Sequence, residues 1–167
     1  SQMSDEETGS GNGRITPEDI ERARAQIGVP QCERNAVFNR VAGSDTISHF
    51  AFGIGDDKPL WHDAKYGRTT RWRGQIASPL YATTIGLDDT PRPSPELKEL
   101  FRGLFRGVGK YYSGATWEWF RPIRPGDVIW REYTTSDVQV KESSSFSGAK
   151  TVIDSYRYHY VNANGEP

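Results

Sequence analysis

Ile54-Gly55-Asp56-Asp57-Lys58-Pro59-Leu60-Trp61-His62-Asp63 is the segment from which the fold of this 167-residue chain is read. An apolar, glycine-containing run from Phe50 to Gly55 delivers the chain into two carboxylates. A Pro-Leu step then leads into a Trp-His-Asp triplet able to open a helix. Two readings stand on these residues alone. The spacing from Asp56 to His62 can bring a carboxylate and an imidazole together across a turn, one ingredient of general acid–base work on a proton next to a carbonyl. Alternatively the segment is a polar loop, with Asp63 as a helix N-cap.

Downstream, a short helix is expected from Asp63 to Arg68 and a loop over Arg71-Trp72-Arg73-Gly74. Gln75-Ile76-Ala77 then enters Ser78-Pro79. A serine N-cap with proline at the first helical position predicts a helix through Ile85. Leu80, Tyr81, Ala82, Ile85 and Leu87 make it apolar around most of its surface, as befits a helix enclosed by a sheet. Upstream, Ala36 to Val41 alternates as a strand does, and Gly43-Ser44-Asp45 breaks it. Ser44 or Asp45 would cap a helix carrying Ile47, Phe50, Ala51 and Ile54. His49 lies on that helix with no acid or nucleophile nearby, so it reads as a packed or surface histidine.

Residues 1–13 (SQMSDEETGSGNG) are polar and Gly/Ser-rich and read as a disordered tail, the leading Ser-Gln as a cloning remnant, with one domain over 14–167. Thr16-Pro17-Glu18-Asp19 is a helix start, with Ile20, Ala23 and Ile27 as its apolar stripe and Gly28 as its stop. From Pro95, the residues Leu97, Leu100, Phe101, Leu104, Phe105 and Val108 recur at helical spacing, and Lys98, Arg102, Arg106 and Lys110 line another face. Gly103 and Gly107 each cost that helix about 1 kcal/mol. The remainder is strand-like: Thr116 to Phe120 with Trp117 and Trp119 on one face, Val128 to Val140, and Thr151 to Val161 with Tyr156, Tyr158 and Tyr160 on one face and His159 on the other. Asn164-Gly165 predicts a type I′ hairpin, which implies a returning strand and a longer native chain.

A formal net charge of −1 with mixed signs argues against nucleic acid or an anionic membrane as partner. The single cysteine, Cys32, excludes an internal disulfide and a multi-cysteine metal site, so no metal is expected. No apolar run approaches a membrane span and no signal peptide is visible, so the expected location is cytoplasmic.

The stretch SHFAFGIGDDKPLWHDAKYGRTTRWRGQIASPL resembles the signature segment of the MaoC-like hydratase/dehydratase family, in particular its N-terminal, FAS1-like dehydratase type of domain. Active members read G-D-x-N-P-[IL]-H-x-D, then His-Gly at the start of a central helix. Gly55-Asp56, Pro59-Leu60 and Asp63 match, and Arg121-Pro-Ile-Arg-Pro-Gly-Asp127 matches a second family element, P-[IL]-R-x-G-D. Two departures matter most. Trp61 stands where the catalytic histidine belongs, and Ser78-Pro79 replaces His-Gly, whose glycine N–H meets the thioester oxygen; proline has no N–H.

The resemblance implies an α+β hot-dog fold: a curved antiparallel sheet wrapped around one long central helix, paired into a double hot dog. The second half would lie downstream in the same chain, or in a homodimer or heterodimer. It implies a role in (R)-specific hydration of a 2-enoyl thioester carried by coenzyme A or acyl carrier protein, with no cofactor. The departures make this chain the acyl-thioester-binding, non-catalytic half. Trp61, Ala77, Ser78, Pro79 and Tyr81 would line the substrate's path. The alternatives are a competent hydratase using Asp56 and His62, or a non-enzymatic module binding an acyl-CoA or a partner protein. A hot-dog thioesterase would need a carboxylate on the central helix, and residues 80–87 carry none. A one-residue step turns a helical side chain by about 100°, so His62 is expected to point away from the slot Trp61 fills.

Overall fold

A computed structural model describes residues 13–31, 39–145 and 148–167. Most of the expected tail, Cys32 and the start of the expected 36–41 strand lie outside the described residues. The elements are α1 (Pro17–Arg24), β1 (Pro30–Gln31), α2 (Ser44–Gly53), α3 (Pro59–His62), α4 (Ala64–Thr69), a 3₁₀ helix (Pro79–Thr84), α5 (Pro95–Phe101), β2 (Trp130–Lys141) and β3 (Thr151–Val161). The strand order is β1-β2-β3. The nine-residue link between β2 and β3 is too short for a crossover, so the two long strands run antiparallel. No helix among the described residues is long and apolar enough to cross a membrane.

Two compact units divide the chain. One comprises Ser1–Val29, Pro93–Ala115 and Thr134–Arg157. In it, Thr16 caps α1 by accepting from the Asp19 N–H at 3.1 Å, as its sequence predicts. Ala23, Phe105 and Val138 form the unit's buried cluster, with Ile15, Leu104, Val108 and Val152 against it. The helix expected from Pro95 to Lys110 ends at Phe101, because Gly103, Phe105 and Gly107 adopt positive φ (65°, 51° and 75°), which no α-helix continues through. Lys98, Arg102, Arg106 and Lys110 therefore do not share one helical stripe. The guanidinium of Arg22 instead caps the end of α5, donating to the carbonyls of Glu99, Leu100 and Arg102 at 2.7, 3.2 and 2.7 Å.

The other unit comprises Pro30–Arg92, Thr116–Tyr133 and Tyr158–Pro167 and contains the signature segment. Its main core is Ala42, Ile47, Ala77, Tyr81, Ile85 and Ile129. A smaller cluster of Ala51, Trp61 and Ile76 is flanked by Leu60 and Trp72. Of the expected strand ending at Val41, the described residues Asn39 and Val41 form isolated bridges, to Ile85 and Val128. Helix α2 is capped not by Ser44 or Asp45 but at Gly43, whose N–H donates to Thr46 Oγ1 at 3.1 Å.

The central helical element differs most from expectation. It is a six-residue 3₁₀ turn, and Ser78 makes no capping hydrogen bond. Thr83 and Thr84 donate their hydroxyls back to the carbonyls of Leu80 and Tyr81 at 2.8 and 2.9 Å, and such local bonding competes with helix propagation. Trp117 and Trp119 do share a face, with rings stacked 5.8 Å apart, although Thr116 to Trp119 forms no regular strand. The last turn is not type I′, since Asn164 does not take positive φ and Gly165 does (74°). Asn162 closes it by accepting the N–H groups of Asn164 and Glu166 on Oδ1 at 2.9 and 3.0 Å.

Candidate functional site

The end of α2 and the short α3 meet at the signature segment. Pro59 opens α3 at a position that needs no N–H donor, and four residues later Asp63 ends it. Asp63 then caps α4, its Oδ1 accepting from the N–H groups of Lys65 and Tyr66 at 2.7 and 3.2 Å. The N-cap reading of Asp63 is the one observed.

Trp61 and His62, adjacent on α3, face different surroundings, as a turn of about 100° per residue requires. Trp61 is buried, 8% exposed, within the Ala51 and Ile76 cluster. His62 is half-buried and turns to α2. Its Nδ1 lies 2.7 Å from Ser48 Oγ, and its Nε2 lies 3.0 Å from the backbone carbonyl of Asp56. A carbonyl only accepts, so Nε2 carries the proton, and in the neutral ring Nδ1 accepts from the Ser48 hydroxyl. The Asp56–His62 spacing thus does bring the two residues together, but the imidazole meets the main chain of Asp56 and not its carboxylate.

That carboxylate points elsewhere. Lys58 Nζ pairs with it at 3.3 Å. The indole N–H of Trp61 is buried, and no acceptor among the described residues completes a hydrogen bond with it. The Asp56 acid sits below its ordinary range, with the neighbouring Trp61 indole as the first cause and the Lys58 N–H and ammonium adding to the effect. Asp56 is therefore an ionised, partly exposed carboxylate beside a buried indole.

Two side chains the sequence reading passed over hold this arrangement. Gln75 is buried, and its amide donates to the carbonyls of Ser44 (3.1 Å) and Trp61 (2.6 Å) while accepting from Ser44 Oγ (2.6 Å). It ties the start of α2 to α3. Ser48 is the second, as the partner of His62. The only signal for Gln75 was a polar residue opening an apolar run, and for Ser48 its place four residues into a helix, and neither separates a functional role from an ordinary one.

Along the expected substrate path, Ala77 and Ser78 are buried and Pro79 is exposed. The Ala77 N–H is already taken by the Ile123 carbonyl at 2.8 Å. Tyr81 is fully buried, with its hydroxyl 2.8 Å from Thr46 Oγ1 and its ring edge-on to Phe50 at 5.8 Å. The Pro79 carbonyl accepts from the Trp119 indole at 3.1 Å.

A family model described as the FAS1-like, dehydratase domain region matches residues 26–167. No curated protein matches the chain. Among solved structures, the ChsH1–ChsH2 complex from Mycobacterium tuberculosis is similar at 18% identity, over 87% of this chain and 84% of that one, with a TM-score of 0.64. The monoamine oxidase regulatory protein from Archaeoglobus fulgius is similar at 18% identity over 79% and 83%, with a TM-score of 0.54. A MaoC-like dehydratase from Rhodospirillum rubrum shows 21% identity over 79% and 85%, with a TM-score of 0.48.

Proposed function

The chain belongs to the FAS1-like dehydratase-region family of MaoC-like hydratases and dehydratases and has their hot-dog fold, and on that premise we propose that it is the acyl-thioester-binding, non-catalytic half of a 2-enoyl-thioester hydratase. Hydration adds hydroxide to C3 and a proton to C2. It needs a base with a free lone pair for water, an acid for C2, and donors for the developing enolate oxygen. One observation carries the proposal: both ring nitrogens of His62 are engaged, by Ser48 and by the Asp56 carbonyl, while Trp61 fills the neighbouring interior. Asp56 remains as a carboxylate able to hold a water, with no imidazole against it. Pro79 supplies no N–H where the family's active members place a glycine.

A second hot-dog half then supplies the chemistry. Pairing is supported by the exposed aromatic surface of the signature-bearing unit, where Trp119, Phe120 and Tyr158 are each more than two-fifths exposed and the Tyr133, Tyr158 and Tyr160 rings stack in series at 5.2 and 6.4 Å. The Mycobacterium tuberculosis relative is itself a two-protein complex. A competent hydratase is the second reading. It is favoured by the depressed, ionised state of Asp56 and by the closeness of His62 to its backbone.

The test is hydration of trans-2-enoyl-CoA substrates of several lengths by the chain alone, with Asp56→Ala beside it, and thioester binding by calorimetry. The expected result is binding without turnover. One missing acid–base group costs about 10²–10⁴-fold and one missing oxyanion donor about 10²–10³-fold, overlapping because both act on one transition state. Turnover at an ordinary rate of about 10 s⁻¹, abolished by Asp56→Ala, would overturn the proposal in favour of the second reading.

A further inference from the structure

A serine inside a helix ordinarily bonds back to the carbonyl four residues earlier or points into solvent. Ser48, the fifth residue of α2, does neither. The carbonyl one turn back, that of Ser44, accepts from the Gln75 amide at 3.1 Å. The half-buried Ser48 hydroxyl reaches across to α3 instead, where its Oγ lies 2.7 Å from Nδ1 of His62. It makes no other hydrogen bond among the described residues.

The main chain orients the imidazole. Helix α2 ends in a left-handed turn at Gly55 (φ 75°), whose N–H donates to the Phe52 carbonyl at 3.0 Å, while the Asp56 N–H donates to the Ala51 carbonyl at 2.9 Å. This pair of bonds closes a helix at a glycine and fixes the backbone that follows. The Asp56 carbonyl then accepts from His62 Nε2 at 3.0 Å, which leaves the lone pair of Nδ1 for the Ser48 proton. Nucleophile, base and orienting group each stand within hydrogen-bond reach of the next, the arrangement that activates a serine. Phe52, four residues beyond Ser48 and so its neighbour on the helix surface, is 80% exposed.

We propose that Ser48 is an acyl-accepting nucleophile with His62 as its base, giving the chain an esterase activity toward carboxylic oxygen esters with an apolar acyl group. This activity goes beyond the thioester-binding reading and does not rest on it. The engagement that keeps Nδ1 from deprotonating water for hydration is the one a serine nucleophile requires. Ser48 Oγ bonds to the acyl carbon as its proton passes to Nδ1, and the Asp56 carbonyl holds the other N–H of the imidazolium. His62 gives that proton to the leaving oxygen as the carbon–oxygen bond breaks. Water then attacks the acyl-serine, its proton passing through His62 to Ser48 Oγ, and the carboxylic acid is released. The proton stored on His62 selects the substrate class, because an alkoxide leaves only when protonated, whereas a thiol ionises at about pH 8.5 and needs no such help. The exposed Phe52 ring offers the apolar acyl group a surface. Helix N–H groups beyond the first turn are bonded internally, so α2 supplies no oxyanion donor at Ser48, and the lack of one slows each step about 10²–10³-fold. With an activated ester, deacylation is the slower step and acyl-Ser48 accumulates.

The experiment treats the full chain with p-nitrophenyl acetate and p-nitrophenyl hexanoate, follows release of p-nitrophenolate, and locates the acyl group by peptide mass spectrometry. Wild type gives a burst stoichiometric with the chain and carries the acyl group on Ser48. Ser48→Ala removes the burst, and Ser48→Cys restores it, which separates lost chemistry from lost structure. His62→Gln slows acylation about 10²–10⁴-fold. Phe52→Ala, at an exposed position, slows acylation by hexanoate about tenfold more than by acetate. Ethyl hexanoate, with a poor leaving group, is hydrolysed slowly by wild type and not by Ser48→Ala. Absence of a burst in wild type, a burst that persists in Ser48→Ala, acyl groups on lysine or histidine alone, or equal acylation of wild type and His62→Gln each overturns the proposal. Enoyl-thioester binding plays no part in the assay, so a negative result leaves that reading where it stands.

Discussion

Replacing Gln75 by Met keeps the volume of a buried side chain while deleting its amide. Three hydrogen bonds disappear, two donated to the Ser44 and Trp61 carbonyls and one accepted from Ser44 Oγ. At about 1 kcal/mol net each, the loss is about 3 kcal/mol. The Trp61 carbonyl end of the network is buried, so a stranded acceptor there pushes the cost upward and not down. For a chain of this size, about 3 kcal/mol lowers the melting temperature by roughly 6–12 °C. Urea unfolding should show a lower midpoint with an unchanged slope, because the surface exposed on unfolding is the same. The backbone of α3 loosens as well, so the fluorescence of the variant should change below its melting point as Trp61 gains water. A loss under about 0.5 kcal/mol would refute the reasoning: the amide would then not be the tie between α2 and α3.

Other outcomes follow from single contacts. Gly67→Ala forces a methyl onto the Gly74 backbone and should cost at least the 1–3 kcal/mol typical of overpacking, seen in chemical denaturation; wild-type stability would mean the two segments separate freely. Arg73→Gly should stabilise by about 1 kcal/mol by relieving a left-handed residue, and a destabilised variant would show that the Arg73 side chain contributes more than its backbone costs. Asp154 is pushed above its ordinary range by burial, with Lys110 pulling weakly the other way, and its Oδ1 has no partner among the described residues. A raised acid favours the folded state below its unfolded pKa, near pH 4, and that contribution is lost as pH rises through the folded value. Asp154→Asn should therefore raise the melting temperature at pH 7 and leave it unchanged at pH 3, and a lower melting temperature at pH 7 would contradict this.

Much of the framework was legible in the chain itself because it depends on local chemistry. Thr16-Pro17 opens α1, Asp63 caps α4, and Thr151 to Val161 is a strand along its whole length, all set by propensities and hydrogen bonds a few residues apart. The signature segment and its two departures, Trp61 and Pro79, were also visible as residues and pointed to the family that the comparison shows. What the tertiary structure decided is everything set by distant partners. Whether His62 meets the carboxylate of Asp56 or its carbonyl depends on where Ser48 lies, fourteen residues away on another helix. The burial of Gln75 depends on Ser44, thirty-one positions upstream, and the end of α5 on glycines free to turn left-handed. A sequence pattern records which groups a segment offers, whereas the bond each group makes is settled by competition among all the groups that packing brings within reach.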